Sequence, residues 1–267
     1  MTLSTVASLL LLLARAGLTD PPREDFDRPQ ENFASAFTSA GVKGTCILYD
    51  LERETYSGYR PDRWDSMYIP ASTFKILNSL ISLETGVIAD EHTVIPWDSV
   101  SRSRAAWNQD HTMASAFKAS VVWFYQELAR RIGADRMQRY LDVSDYGNRT
   151  MGGEIDQFWL NGGLRISPRQ QIGFLVRLYR GTLPFSPVTM AAVREIMIQE
   201  KTERYTLRAK TGWSDAASPG VGWYVGYVER GGRTVFFATE LDIRVDKDLT
   251  ARVEITRTIL RQLGLID

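Results

Sequence analysis

The amino-acid sequence predicts a mixed α/β (α+β) fold of three layers, in which an antiparallel sheet is flanked by helices. Segments with strand character lie near both ends of the 267-residue chain, whereas residues 88–200 carry almost none. Since strands that are distant in sequence can pair in one sheet, we expect both chain ends to build a single sheet. The middle is then an inserted all-helical part, and a cleft is expected where the two parts meet.

The N-terminal part follows a helix and hairpin pattern. Apolar residues at helical spacing predict a short amphipathic helix over residues 32–40, which ends at Gly41. Two strands are predicted at Gly44–Asp50 and Thr55–Tyr59, because aromatic and β-branched residues flank a polar turn there.

The middle of the chain carries helical patterns, two of which end at a glycine, Gly133 and Gly181. Four helices are predicted, over residues 116–132, 134–141, 167–179 and 187–198. Ser167 followed by Pro168 is typical of a helix start, since Ser caps free N–H groups and Pro suits the first turn. A single domain over residues 17–267 is predicted, with a helical part at about 88–200 and a sheet part at about 30–87 and 201–267.

Near the C-terminus the pattern changes back to strands. They are predicted over residues 205–210, 221–229 and 234–243, and a closing helix is predicted over residues 250–263. Gly231 and Gly232 favour a hairpin turn between the last two strands.

Composition excludes several classes of protein. The 32 basic and 32 acidic residues give no net charge and form no basic stripe, which argues against nucleic acid as a partner. Cys46 is the only cysteine, so no intramolecular disulfide can form, and with His92 and His111 as the only histidines a Cys/His metal site is not expected. Cys46 is expected to be a buried core residue of its strand.

The first residues resemble an export signal. An apolar stretch over residues 6–13 precedes Ala14-Arg15-Ala16, a pattern typical of a signal peptide at residues 1–16 with its cleavage site. No basic residue precedes that stretch, so a partly buried N-terminal helix is the alternative. We expect a periplasmic or secreted protein that has no membrane contact after signal removal and is a monomer or homodimer.

Ser72-Thr73-Phe74-Lys75 begins an apolar run at helical spacing that stops at Gly86. Ser72 and Lys75 share one face, so a hydroxyl lies beside an amine, and the amine can act as a base if burial lowers its pKa. The alternative is a helix-capping Ser and a solvated Lys. A second string of this type, Ser115 to Lys118, shows that the spacing alone is weak.

Two further strings add candidate groups. Lys210-Thr211-Gly212 follows a predicted strand, where the ammonium and hydroxyl suit a carboxylate and Gly212 admits a substrate to the strand edge. The N–H of Trp213 could join that of Ser72 in an oxyanion hole. A strand that runs into a turn is the alternative.

Ser120-Val121-Val122 is the other string, in the predicted helix 116–132. Ser120 could relay a proton and Val122 could shield the Lys75 amine from water, whereas the alternative is an ordinary residue at a helix start.

Taken in order, these strings resemble the penicillin-recognising serine acyl-transferases, and within them the class D serine β-lactamases. The resemblance runs from about Gly44 to the closing helix. The matching segments are Ser72-Thr73-Phe74-Lys75, Ser120-Val121-Val122, Tyr146-Gly147-Asn148, residues 158–167, Lys210-Thr211-Gly212 and residues 223–227. Class A enzymes carry Ser-Asp-Asn as the second motif, whereas the nearest string here is Ser144-Asp145-Tyr146.

The resemblance implies a β-lactamase/transpeptidase-like fold and the hydrolysis of β-lactam antibiotics through an acyl-enzyme on Ser72. It implies that CO2 carboxylates Lys75, which becomes the general base, that the Trp159 indole holds the carbamate, and that no other cofactor or metal takes part. Ser120 is implied as the proton relay.

The resemblance also implies that Lys210, Thr211 and an Arg near the closing helix bind the substrate carboxylate. Arg252 is the preferred Arg, and Arg244 is the competing one. Two alternatives stay open: a β-lactam sensor that remains acylated, and a D,D-peptidase, whose second motif usually has Asn where this chain has Val122.

Overall fold

A computed structural model describes residues 31–267 and the side chains from Phe33 onward. The signal peptide predicted at residues 1–16 therefore lies outside the described residues. The strands are β1 (Gly44–Asp50), β2 (Thr55–Tyr59), β3 (Val94–Ile95), β4 (His111–Thr112), β5 (Ile198–Lys201), β6 (Tyr205–Ser214), β7 (Gly220–Arg230) and β8 (Arg233–Ile243). The helices are α1 (Glu31–Ala40), α2 (Lys75–Glu84), α3 (Met113–Ala119), α4 (Val122–Ile132), α5 (Ala134–Val143), α6 (Pro168–Arg180), α7 (Pro187–Ile196) and α8 (Asp248–Gln262).

One antiparallel sheet of six strands joins the two ends of the described chain, in the order β2-β1-β8-β7-β6-β5. The N-terminal hairpin meets the C-terminal strands where β1 pairs with β8, from Gly44 opposite Leu241 to Asp50 opposite Val235. The predicted fold class, a sheet built from both ends and flanked by helices, is confirmed.

The sheet separates two apolar cores because neighbouring residues of a strand face opposite sides. Phe237 and Cys46 belong to the core shared with α1 and α8. Phe236 and Ile47 belong to the larger core that the remaining helices share. Cys46 is fully buried, as predicted.

The helix predicted over residues 116–132 is wrong in one respect, because it is two helices. Ser120 adopts left-handed backbone angles (φ 56°, ψ 40°), which ends α3, and Val121 is extended before α4 begins. The break turns the Ser120 side chain toward β6, where it accepts a hydrogen bond from Lys210.

The remaining differences concern strands. The short pair β3 and β4 and the edge strand β5 lie in segments for which no strand was predicted. The strand predicted to end at Lys210 continues to Ser214, since it pairs with β7 along that whole length. Lys210, Thr211 and Gly212 therefore lie within a strand.

Candidate active site

Ser72 lies in a single 3-10 turn, Ala71–Phe74, that leads directly into α2. Lys75 is the first residue of α2, and its Nζ donates a hydrogen bond of 2.7 Å to Ser72 Oγ. Ala71 is fully buried and has a φ of 48°, a conformation that is costly for a residue with a Cβ. Backbone strain thus lies next to the residue predicted to be the nucleophile.

The Lys75 amine is buried, and it forms no ion pair with an acidic side chain of residues 31–267. Its side chain is 0% exposed, and Nζ lies 5.3 Å from the ring centroid of Tyr125 on α4. Desolvation is the main reason that the pKa of Lys75 is well below its usual value, and the positive charges of Lys210 and Arg104 lower it further. The environment thus favours the uncharged amine, which a role as a base requires.

Hydrogen bonds hold the Ser72 turn from the segment before it and from within it. Before the turn, Trp223 Nε1 of β7 donates to the carbonyl of Ile69 over 2.9 Å. Within it, Gln171 of α6 donates to Thr73 Oγ1 over 2.8 Å, and that hydroxyl donates to the carbonyl of Pro70. Sheet and helices therefore fix the turn together.

The Lys210 ammonium lies on the other side of the cleft. Its Nζ donates to Ser120 Oγ and to the carbonyl of Thr211, both over 3.0 Å. Burial, followed by repulsion from Arg252 and Arg104, lowers the pKa of Lys210 to about 7. The structure thus brings together the residues of all three strings that the sequence singled out.

Gly212 allows β6 to lie against the Ser72 turn. A Cβ at this position would lie 3.0 Å from the carbonyl oxygen of Pro70 and 3.1 Å from Thr73 Cγ2. Since such contacts are tighter than ordinary packing, a larger residue would push the strand away from the turn. Trp213, the next residue, is 36% exposed.

Aromatic rings pack behind the turn. Phe74 stacks on Trp159 with 5.3 Å between centroids and contacts Phe158 and Tyr146 edge-on. Trp159 Nε1 is buried and has no hydrogen-bond partner among residues 31–267. A buried indole N–H without an acceptor is costly, so the position suits an acceptor supplied by something other than these side chains.

The Tyr146-Gly147-Asn148 segment shapes the loop that leads to Trp159. Asn148 binds that loop through its side chain, which donates to the carbonyl of Gly163 and accepts from the N–H of Arg165. Tyr146 is buried against Phe174. These contacts hold the loop in place, and they give the segment a structural role.

Arg252 of α8 and Arg244 differ sharply in surroundings. Arg252 is half-buried, and its Nε and Nη1 atoms have no hydrogen-bond partner in the described part of the chain. Burial and Arg104 lower the pKa of Arg252 to about 10. Arg244 is exposed and lies 3.8 Å from Asp242.

Sequence reasoning missed two residues of this site. Tyr125 covers the Lys75 amine, and its place one turn after Val122 in the predicted helix was the available signal. Val122 itself is half-buried, whereas Val121 is fully buried. The second missed residue is Arg104, whose positive charge lowers the pKa of Lys75, Lys210 and Arg252. Arg104 lies in none of the sequence motifs.

The chain is similar to known proteins over most of its length. The family model of the penicillin-binding protein transpeptidase domain matches residues 44–261. β-Lactamase OXA-48 of Klebsiella pneumoniae is 41% identical over 239 residues, which cover 89% of this chain and 90% of that protein.

Solved structures extend the likeness. The class D β-lactamase YbXI from Nostoc superimposes with a TM-score of 0.87 at 46% identity, over 88% of this chain and 99% of that one. FUS-1 (OXA-85), a class D β-lactamase from Fusobacterium nucleatum subsp. polymorphum, superimposes with a TM-score of 0.87 at 36% identity. The match covers 90% of this chain and 100% of that one.

The fold and the three strings thus define a serine enzyme of the penicillin-recognising kind. Within that group, the chain belongs to the class D β-lactamases, hydrolases that open the β-lactam ring.

Proposed function

We propose that Ser72 is the nucleophile of β-lactam hydrolysis and that Lys75 serves as its base. The observation that carries this proposal is the 2.7 Å hydrogen bond between Ser72 Oγ and a fully buried Lys75 amine. A Ser hydroxyl is a weak nucleophile until a neighbouring group accepts its proton. Among residues 31–267, Lys75 Nζ is the titratable group bonded to that hydroxyl.

Carboxylation of Lys75 is the second part of the proposal. The uncharged amine attacks CO2, a new N–C bond forms, and one amine proton is released to solvent. The product is an anion with two acceptor oxygens. The lowered pKa of Lys75 supports the presence of an uncharged amine. The Trp159 N–H, which has no partner among residues 31–267, offers a donor to the carbamate.

Acylation and deacylation then use the same base. The carbamate takes the Ser72 proton while Oγ bonds to the lactam carbonyl carbon, and the main-chain N–H groups of Ser72 and Trp213 stabilise the oxyanion. Ser120 donates its proton to the lactam nitrogen as the C–N bond breaks, and it is reprotonated by the proton that the carbamate took from Ser72. The carbamate next takes a proton from water, whose oxygen bonds to the ester carbon. As the bond from that carbon to Ser72 Oγ breaks, the carbamate returns the proton to Oγ.

We assign substrate binding to residues of β6 and α8, on the side of the cleft opposite Lys75. Lys210, Thr211 and Arg252 bind the carboxylate of the drug, and Gly212 lets the substrate approach the edge of β6. Val122 shields the Lys75 amine together with Tyr125. Two observations support these roles: Lys210 Nζ is held by hydrogen bonds to Ser120 Oγ and the Thr211 carbonyl, and Arg252 Nε and Nη1 have no partner among residues 31–267.

The test is the hydrolysis of a chromogenic penicillin-type substrate by the purified protein, with and without added bicarbonate. We expect sustained turnover that rises with bicarbonate and is absent in Ser72→Ala. A burst of one equivalent with no further turnover would overturn the proposal in favour of a sensor. Release of D-Ala from a cell-wall peptide with no lactam turnover would favour a D,D-peptidase.

We further propose that residues 17–267 are a single catalytic domain, exported to the periplasm or medium, and a monomer or homodimer. Among residues 31–267, none of the helices has the length and apolar character needed to cross a bilayer. Mass spectrometry of the protein recovered from the periplasm tests cleavage after residue 16, and a full-length mass there would contradict it. Light scattering measures the oligomeric state.

A further inference from the structure

We propose that Arg104 is a specificity residue that favours β-lactams with a second anionic group on the acylamino side chain. This inference rests on the proposed function and concerns the rim of the same site. The chemical class is a dianionic penicillin, which carries one carboxylate on the ring system and another on the side chain.

The position of Arg104 follows from a short turn at the mouth of the cleft. The Arg104 guanidinium stacks over Trp107, with 5.1 Å from Cζ to the ring centroid. Trp107 Nε1 donates to the carbonyl of Ala119 over 3.0 Å, and Ala119 directly precedes Ser120. One ring and one hydrogen bond thus connect the guanidinium to Ala119, the residue directly before the Ser120 that contacts Lys210.

Hydrogen bonds hold the main chain on both sides of Arg104, so the backbone at this residue has a defined position. Trp123 Nε1 of α4 donates to the carbonyl of Trp107 over 2.8 Å. Asn108 and Arg102 exchange two hydrogen bonds of 2.9 Å, and His111 Nε2 bonds the carbonyl of Ala106. A preorganised cation loses little entropy when it binds an anion.

The charge of Arg104 is not compensated within the described part of the chain, where its guanidinium makes no ion pair with an acidic side chain. It acts electrostatically on Lys75, Lys210 and Arg252. Lys210, Arg252 and Arg104 supply three positive charges, and the Lys75 carbamate and one substrate carboxylate supply two negative ones. One positive charge is therefore left over.

The surplus charge lies where a side chain of the drug can reach it. Lys210 is buried and Arg252 half-buried, whereas Arg104 is exposed. The carboxylate on the ring system of the drug binds Lys210 and Arg252. The exposed Arg104 guanidinium is then available to a substituent that projects toward solvent. Arg offers two parallel N–H donors to such a carboxylate.

Benzylpenicillin and carbenicillin form a matched pair of probes, because they differ by one carboxylate on the side chain. We expect the ratio of kcat/KM for carbenicillin to that for benzylpenicillin to fall about fivefold in Arg104→Gln at low salt, an effect typical of one partly exposed charge contact. Arg104→Lys should keep most of the ratio. High salt should reduce the wild-type ratio toward that of Arg104→Gln, since screening weakens exposed charges.

Arg102→Gln is the control variant. Arg102 lies in the same segment, but its charge is paired with Asp98 over 2.6 Å. This variant should leave the ratio unchanged. An unchanged ratio in Arg104→Gln, or an equal fall in Arg102→Gln, would overturn the inference while leaving the hydrolytic function intact. Absence of turnover of both drugs by the wild-type protein would instead contradict the proposed function.

Discussion

Ser214 at the end of β6 donates a hydrogen bond of 2.7 Å to the main-chain carbonyl of Leu160. This contact joins the strand that carries Lys210 to the loop that carries Trp159. The group proposed to bind the substrate and the group proposed to hold the carbamate therefore lie on segments bonded to one another. The predictions below separate their contributions.

Lys75→Ala should lower kcat by about 10²- to 10⁴-fold, the usual contribution of a general base, while the fold is kept. Steady-state hydrolysis of a chromogenic substrate and circular dichroism measure the two effects. Lys118→Ala is the control, because Lys118 belongs to the second Ser-x-x-Lys string and is exposed. Full activity in Lys75→Ala would remove the proposed base.

Trp159→Phe keeps the ring that stacks on Phe74 and removes the N–H. A hydrogen bond to a charged group contributes about 1.5–3 kcal/mol, so the bicarbonate concentration for half-maximal activity should rise about tenfold or more. Deacylation should slow more than acylation, as followed by mass spectrometry of the acyl-enzyme. Equal slowing of both steps would count against a carbamate role.

Lys210 should set the basic limb of the kcat/KM profile. Its pKa is about 7 in the free protein, and an anionic carbamate nearby raises it, so the limb should lie above pH 7. As pH rises, the ammonium loses its proton and its attraction for the substrate carboxylate. Lys210→Arg keeps the charge and should move the limb to higher pH; an unmoved limb would assign it to another group.

Arg252→Gln should raise KM for benzylpenicillin by about 10- to 100-fold, because a charged hydrogen bond to the carboxylate is lost. The methyl ester of benzylpenicillin lacks that charge and should respond much less. Arg244→Gln is the matched variant, since Arg244 is exposed and close to Asp242. If Arg244→Gln raises KM and Arg252→Gln does not, the assignment of Arg252 is wrong.

Gly212→Ala should lower the free energy of unfolding by about 1–3 kcal/mol and reduce kcat/KM, because the new methyl group overpacks the Ser72 turn. Urea unfolding measures the first effect. Gly173→Ala is the control: no atom lies within 4 Å of a Cβ there, and its helical position should gain about 0.4–1 kcal/mol. Equal stability of the two variants would contradict the close approach of β6.

The sequence predicted the fold class and the contact of Ser72 with Lys75, because strand patterns and local helical spacing are short-range signals. It did not predict the break at Ser120, since no Gly or Pro interrupts the apolar pattern of residues 116–132. The left-handed angles of Ser120 end α3 at a residue whose type gives no strong local signal for them.

Arg104 and Tyr125 show the same limit at the site. Tyr125 packs against the Lys75 amine and Arg104 lowers the pKa of Lys75, each from a segment that only the folded chain brings near. The extension of β6 through Thr211 and Gly212 likewise depends on pairing with β7, which outweighs weak local strand propensity. β3 and β4 have two residues each, too few to show a period.

The hydrogen bond from Trp223 to Ile69 joins residues 154 positions apart. Closing so long a loop costs chain entropy before the contacts of its ends can stabilise the fold. A partly folded chain holds Ser72 and Lys75 in sequence but leaves the amine in water, protonated with an ordinary pKa of about 10.4. If Lys75 is the base, as proposed, hydrolysis requires a chain that has completed its fold.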